Sequence, residues 1–271
     1  MKFSIKHPKH LVPKLEKLPS MARKRKSTEP IGIGMTAKQL KRKKPINNDF
    51  LVDIEPLTDN QTKLFDAYRE GKNIFTYGCA GTGKTFVALY LALQDVLNEY
   101  TPYKKIYIVR SLVATREIGF LPGDHEDKSA LYQIPYKNMV KYMFEMPSDA
   151  DFEMLYGNLK SQETISFWST SFLRGTTFDD SILLIDECQN LNFHELDSII
   201  TRVGDNCKIM FCGDAVQTDL QKTYEKNGIL DFMKIIEQMP ETFEMVEFGV
   251  DDIVRSGLVR EYIMKKMALG L

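Results

Sequence analysis

Asn73-Ile74-Phe75-Thr76-Tyr77 runs into Gly78-Cys79-Ala80-Gly81-Thr82-Gly83-Lys84-Thr85, which leads straight into Phe86-Val87-Ala88-Leu89-Tyr90-Leu91-Ala92-Leu93. An apolar strand, a glycine-rich turn closing on Gly-Lys-Thr and an apolar helix, in that order, make a P-loop. The glycines let successive backbone N–H groups wrap round phosphates, and the helix points its positive end at them. Gly78, Cys79, Ala80, Gly81, Thr82, Gly83, Lys84, Thr85 and Phe86 are therefore the expected nucleotide contacts. Lys84 is expected to reach the β- and γ-phosphates, and Thr85 to ligate Mg²⁺.

Outward from this loop, short apolar runs alternate with helical patterns. Strands are expected at 74–77, 105–110, 165–170, 182–186, 208–213 and 243–248, and helices at 59–70, 85–98, 137–146, 192–201, 228–238 and 256–267. Near-continuous apolar strands separated by helices imply an α/β fold, a doubly wound parallel sheet covered on both faces, with ligands at the carboxyl ends of its strands. One domain is expected over 49–271. The stretch 123–160 breaks the rhythm, being rich in Asp, Lys, Tyr and Met, and reads as an insertion over the site. Its Tyr132, Tyr136 and Tyr142 could stack bases or form local core.

Ser181-Ile182-Leu183-Leu184-Ile185-Asp186-Glu187 is an apolar strand ending in two acids, the form of a Walker B element. Asp186 at the strand tip is placed to hold Mg²⁺ and Glu187 to polarise an attacking water, which together with the P-loop points to ATPase chemistry. No Asn-Lys-x-Asp guanine-reading motif occurs, which favours ATP. Gln61, just before the first helix, could read adenine, because a side-chain amide pairs bidentately with N6 and N7. Arg110 ends the second strand and could meet phosphate or nucleic acid, or form a structural ion pair. A further strand end, Ile209-Met210-Phe211-Cys212-Gly213-Asp214, turns into Ala215-Val216-Gln217, whose Gln217 amide could reach a γ-phosphate or the attacking water. His125 and His194 are isolated and suggest no metal role.

The net charge of -1 hides an asymmetry. Residues 1–45 carry 14 Lys/Arg against Glu16 and Glu29, a net of +12, which leaves 22 Lys/Arg against 35 acids in the remainder, a net of -13. Runs such as Arg23-Lys24-Arg25-Lys26 and Lys41-Arg42-Lys43-Lys44, with little apolar periodicity, read as a disordered basic N-terminal arm over 1–48. Such an arm suits a polyanion, nucleic acid first. Cys79, Cys188, Cys207 and Cys212 lack metal-ligand spacing and read as reduced, mostly buried thiols. No run of ~18 apolar residues occurs, so a soluble, cytoplasmic protein with no membrane partner is expected.

Six ordered segments resemble the PhoH family of phosphate-starvation-inducible ATPases, relatives of superfamily 1 helicase cores: Gly78–Thr85, Val109-Arg110-Ser111-Leu112, Gly119-Phe120-Leu121-Pro122-Gly123-Asp124, Asp186-Glu187-Cys188-Gln189-Asn190, Gly213–Leu220 and Asp251-Asp252-Ile253-Val254-Arg255-Ser256. The resemblance runs from roughly 55 to 265 and implies a single RecA-like P-loop NTPase domain, ATP and Mg²⁺ as cofactors, and action on RNA or single-stranded nucleic acid. By position, Lys84, Glu187, Gln217 and Arg255 are the implied catalytic residues, and Thr85 and Asp186 the metal ligands. Arg255 matches the family's late arginine, and Arg174 an Arg-Gly segment. Ser111 and Arg116 replace the family's usual proline and glutamate. With one lobe only, Arg255 reaches a phosphate from the chain's own C-terminal end or from a neighbour, or pairs within its own helix; the expectation is a neighbouring subunit, which implies a homo-oligomeric ring such as a hexamer. The competing expectation is an ATP-switched nucleic-acid-binding module with negligible turnover.

Overall fold

The computed structural model describes the backbone of Arg23–Lys24, Ile46, and residues 48–110, 125–170, 173, 175–213 and 223–269. The expected basic arm lies almost wholly outside these residues. Its described part, β1 (Arg23–Lys24), pairs antiparallel with β2 (Asp53–Ile54), Arg23 opposite Ile54.

The remaining elements follow in chain order: α1 (Asp59–Arg69), β3 (Asn73–Gly78), α2 (Lys84–Val96), β4 (Lys105–Arg110), α3 (His125–Phe144), α4 (Asp149–Ser161), β5 (Ile165–Ser169), β6 (Ser181–Asp186), α5 (Phe193–Ile200), β7 (Cys207–Cys212), α6 (Thr223–Glu237), β8 (Phe243–Phe248) and α7 (Gly257–Ala268). Strands β3 to β8 form one sheet in the order β5-β4-β6-β7-β3-β8, every pairing parallel. This is a RecA-like α/β fold. Strand β7 lies between β3, which feeds the P-loop, and β6, which carries the acids, so three carboxyl ends stand side by side.

Strand residues alternate between two apolar layers. Ile74, Ile106, Ile108, Ile182, Leu184, Met210 and Val246 face the layer built by α1 to α4. Phe75, Val109, Leu183, Ile185, Ile209 and Phe211 face the one built by α5 and α6. Burial on both faces explains why β6 has no exposed residue and why its sequence is an unbroken apolar run. Each fully buried Leu, Ile or Phe contributes about 1.5–3 kcal/mol of transfer free energy.

The stretch 123–160 departs most from expectation. It holds two helices rather than one, and α3 starts well before residue 137 and runs through Pro135. A proline inside a helix removes a backbone donor and costs about 3 kcal/mol. Burial offsets this cost: Tyr136, Val140, Met143 and Phe144 of α3 pack with Phe152, Leu155, Tyr156 and Leu159 of α4 in the first layer. Helix α4 is capped by Ser148, whose hydroxyl accepts from the Asp151 N–H at 3.1 Å. The segment therefore completes a core layer as well as bordering the site. Helix α6 also begins earlier than the expected residue 228.

Candidate nucleotide site

The loop after β3 is shaped by its neighbours. A Cβ on Gly78 would stand 2.2 Å from the Phe248 carbonyl oxygen, and Gly78 has a φ of +110°, so this position requires glycine. The Cys79 N–H donates to the same carbonyl at 2.8 Å, pinning the loop to the end of β8. The buried Thr82 hydroxyl donates to the Cys79 carbonyl at 3.0 Å. Gln61 is fully buried; its Nε2 donates to the Thr82 carbonyl at 2.9 Å and its Oε1 accepts from the Leu57 N–H at 2.8 Å. This amide braces the loop from the protein side, and its one remaining donor and acceptor site are buried with it. Lys84 opens α2, and its Nζ donates along the inner curve of the loop, to the carbonyls of Gly78 at 3.1 Å and Cys79 at 2.6 Å.

Across the cavity, the Thr85 hydroxyl donates to Asp186 Oδ1 at 2.6 Å. The Tyr136 hydroxyl donates to Asp186 Oδ2, also at 2.6 Å. Burial, then the charge and bond of Asp186, push the Tyr136 phenol far above its ordinary value, so it remains a donor at any physiological pH. Thr85 and Asp186 thus set two hard oxygens side by side, the donor type Mg²⁺ takes alongside water and phosphate oxygens. Two protein oxygens, completed by a nucleotide's phosphate oxygens and water, fit the way Mg²⁺ is held at phosphate sites. Because Tyr136→Phe leaves a buried carboxylate oxygen without its donor, it should cost about 1–3 kcal/mol of stability. Denaturant unfolding would check this, and an unchanged midpoint would deny the bond its role.

Glu187 follows β6 in a left-handed conformation with φ +53°, which swings its side chain to the cavity rim. Its Oε2 accepts from Gln189 Nε2 at 2.7 Å, and its Oε1 lies 3.7 Å from Arg110 Nη2. Of the readings open for Arg110, the structure shows the ion pair. The four cysteines form no disulfide, and three of them are buried. Burial raises Cys188 and brings Cys212 up to about 12, so both stay protonated beside the acids.

The C-terminal segment is stitched to the same loop. Asp252 accepts from Asn60 Nδ2 and from the Gly249 N–H, both at 2.8 Å, and the Val254 N–H donates to the Gly81 carbonyl at 3.1 Å. Arg255 is thereby laid over the loop: a Cβ on Gly81 would stand 2.8 Å from its Cγ. Arg255 already stands at its own chain's P-loop, so reaching a phosphate there requires no neighbouring subunit. The cavity of about 470 Å³ is lined by Ala80–Phe86, Asp186, Glu187 and Arg255, and opposite them by Pro135, Asn138, Met139 and Tyr142 of α3. Tyr142 meets Phe86 edge to face at 5.6 Å, giving one end of the cavity an apolar wall.

Gln217, Arg174, Ser111 and Arg116 lie outside the described residues. The His194 ring meets that of Phe193 edge to face at 6.4 Å. Sequence reasoning missed Tyr136 as the partner of Asp186 and the Asn60–Asp252 bond that seats Arg255.

The family described as PhoH-like protein matches residues 53–267. The chain is 29% identical over 196 residues to Protein PhoH2 of Bacillus subtilis, covering 71% of this chain and 43% of that protein. It is 30% identical over 206 residues to Protein PhoH of Escherichia coli, covering 74% of this chain and 55% of that protein. The chain therefore spans about half the length of these relatives. Among solved structures it is similar to unliganded Pif1 from Bacteroides, with a TM-score of 0.33 and 18% identity, covering 72% of this chain and 42% of that one. A nucleotide-binding P-loop, its acidic strand and a match across most of the sequence lead to one assignment: the chain belongs to the PhoH-like protein family.

Proposed function

We propose that this chain is a Mg²⁺-dependent ATPase whose turnover is coupled to RNA or another single-stranded nucleic acid. The observation that carries the reading is the convergence of Lys84, the Thr85–Asp186 pair, Glu187 and Arg255 on one cavity. Lys84 exchanges loop carbonyls for phosphate oxygens, which are stronger, charged acceptors. Glu187 orients water and accepts its proton, and Gln217, by the family resemblance, senses the γ-phosphate. Bound Mg²⁺ would offset the charge that develops on the β- and γ-phosphate oxygens. The net +12 of residues 1–45 supports a polyanionic partner. No helix among the described residues is long and apolar enough to cross a membrane, and cytoplasmic action accords with Cys79, Cys188, Cys207 and Cys212 forming no disulfide. Phosphate release with and without single-stranded RNA tests the coupling. Stimulation supports it, and an identical rate in both would reduce the reading to a nucleic-acid-independent ATPase.

Arg255 is assigned to its own active site. Arg255→Ala should lower turnover by about 10³-fold or more, the scale of an arginine stabilising the transferring phosphoryl group. Mixing it with Lys84→Ala should restore nothing, because each defect stays in its own chain. Recovered activity in the mixture would move the arginine to a neighbour's site and support the expected ring.

A further inference from the structure

We propose that the Arg110–Glu187 ion pair restrains the water-orienting carboxylate, and that a phosphodiester of single-stranded nucleic acid releases it by taking Arg110. Arg110 would then be a positioning residue through which nucleic acid switches hydrolysis on. The inference rests on the ATPase reading above and adds the route of its regulation.

The placement follows from the sheet. Strands β4 and β6 are neighbours with Val109 paired to Ile185, so Arg110 stands level with Asp186 at the carboxyl edge and one residue short of Glu187. Their contact is therefore built into the register. Glu187 is held from both sides, by Arg110 at 3.7 Å and by Gln189 at 2.7 Å. The acceptor site taken by the Gln189 amide is withdrawn from water, and the Arg110 charge draws the other carboxylate oxygen towards β4.

The pair is also poised to be broken. The side chain of Arg110 is 30% exposed and that of Glu187 40%, so solvent, and with it a ligand, reaches the pair. At 3.7 Å the contact exceeds normal hydrogen-bond length, and an exposed ion pair of this kind biases an equilibrium by about fivefold at most. Arg110 also bonds the Tyr136 side chain and faces the charge of Asp186, so its tie to Glu187 is the weak part of its surroundings. A guanidinium binds phosphate oxygens through two parallel N–H bonds, a better match than this long contact to Glu187. The Arg110 Cζ lies 5.7 Å from the centre of the Tyr132 ring. A cation beside an aromatic face is the combination that holds a phosphate and an adjoining unpaired base together, which favours a single strand over a duplex.

The test uses the full chain and single-stranded RNA. Phosphate release is measured with and without RNA, and RNA binding by fluorescence anisotropy, for the wild type, Arg110→Ala and Gln189→Ala. Arg110→Ala should raise the RNA-free rate up to about fivefold, lose further stimulation by RNA and bind RNA more weakly. A merely structural arginine would lower the rate instead. Gln189→Ala, which loosens the same carboxylate but keeps Arg110, should raise the RNA-free rate and remain RNA-responsive; it serves alone if Arg110→Ala does not fold. A lowered RNA-free rate in either variant, or stimulation of Arg110→Ala equal to the wild type, overturns the switch while leaving the ATPase intact. A wild type that releases no phosphate under either condition overturns the ATPase reading and the switch together.

Discussion

Lys84→Ala is expected to lose ATP binding, with affinity falling about 100-fold or more, and turnover with it. The Lys84 ammonium is the one side-chain cation that the loop itself carries, and it lies along the loop's inner curve on the Gly78 and Cys79 carbonyls. A hydrogen bond between charged partners contributes about 1.5–3 kcal/mol each, so losing two phosphate contacts reaches that factor. The fold should survive, because Lys84 sits at the mouth of the cavity, whereas Phe86 to Leu93 behind it are buried and hold α2 in place. Titration with a fluorescent ATP analogue measures the effect, and a thermal melt confirms folding. An unchanged affinity in a folded variant would remove Lys84 from the site.

Glu187→Gln should part binding from chemistry. The amide keeps the size of the side chain, and its oxygen can still accept from Gln189, but it has no negative charge and cannot take a proton from water. General-base catalysis contributes about 10²–10⁴ in rate, so turnover should drop by that factor while ATP affinity stays within a few-fold of the wild type. The cradle is untouched, since the Thr85 hydroxyl bonds Asp186 while Glu187 bonds Gln189 and pairs with Arg110. Turnover close to the wild type would assign the base to another residue.

The parts legible in the sequence are those fixed by short-range physics. Residues 73–93 read as strand, loop and helix because glycine spacing and apolar runs are local signals, and β6 read as buried because both its faces are covered. The start of α3 was hidden by Pro135, a residue that argues against a helix until the packing of Tyr136 and Val140 is known. Helix α4 carried a readable start in Ser148, Asp149 and Asp151, but its apolar residues are interleaved with Tyr, Met and Glu and blur the period. Relations across the chain were not legible. The Tyr136 bond to Asp186 spans 50 residues and the Asn60 bond to Asp252 spans 192. These two bonds give Asp186 its second donor and seat Arg255 on its own chain's loop. Gln61 shows the same limit: residue type alone allows adenine reading, and only its burial reveals the brace on Thr82.

The central claim is that this cavity hydrolyses ATP with the help of a hard cation held at Thr85 and Asp186. Phosphate release from ATP by the wild type, measured with Mg²⁺ and again with the cation removed by EDTA, tests it most directly. Release that requires Mg²⁺ is the predicted result. No release with Mg²⁺ present, or a rate that EDTA leaves unchanged, would contradict the account.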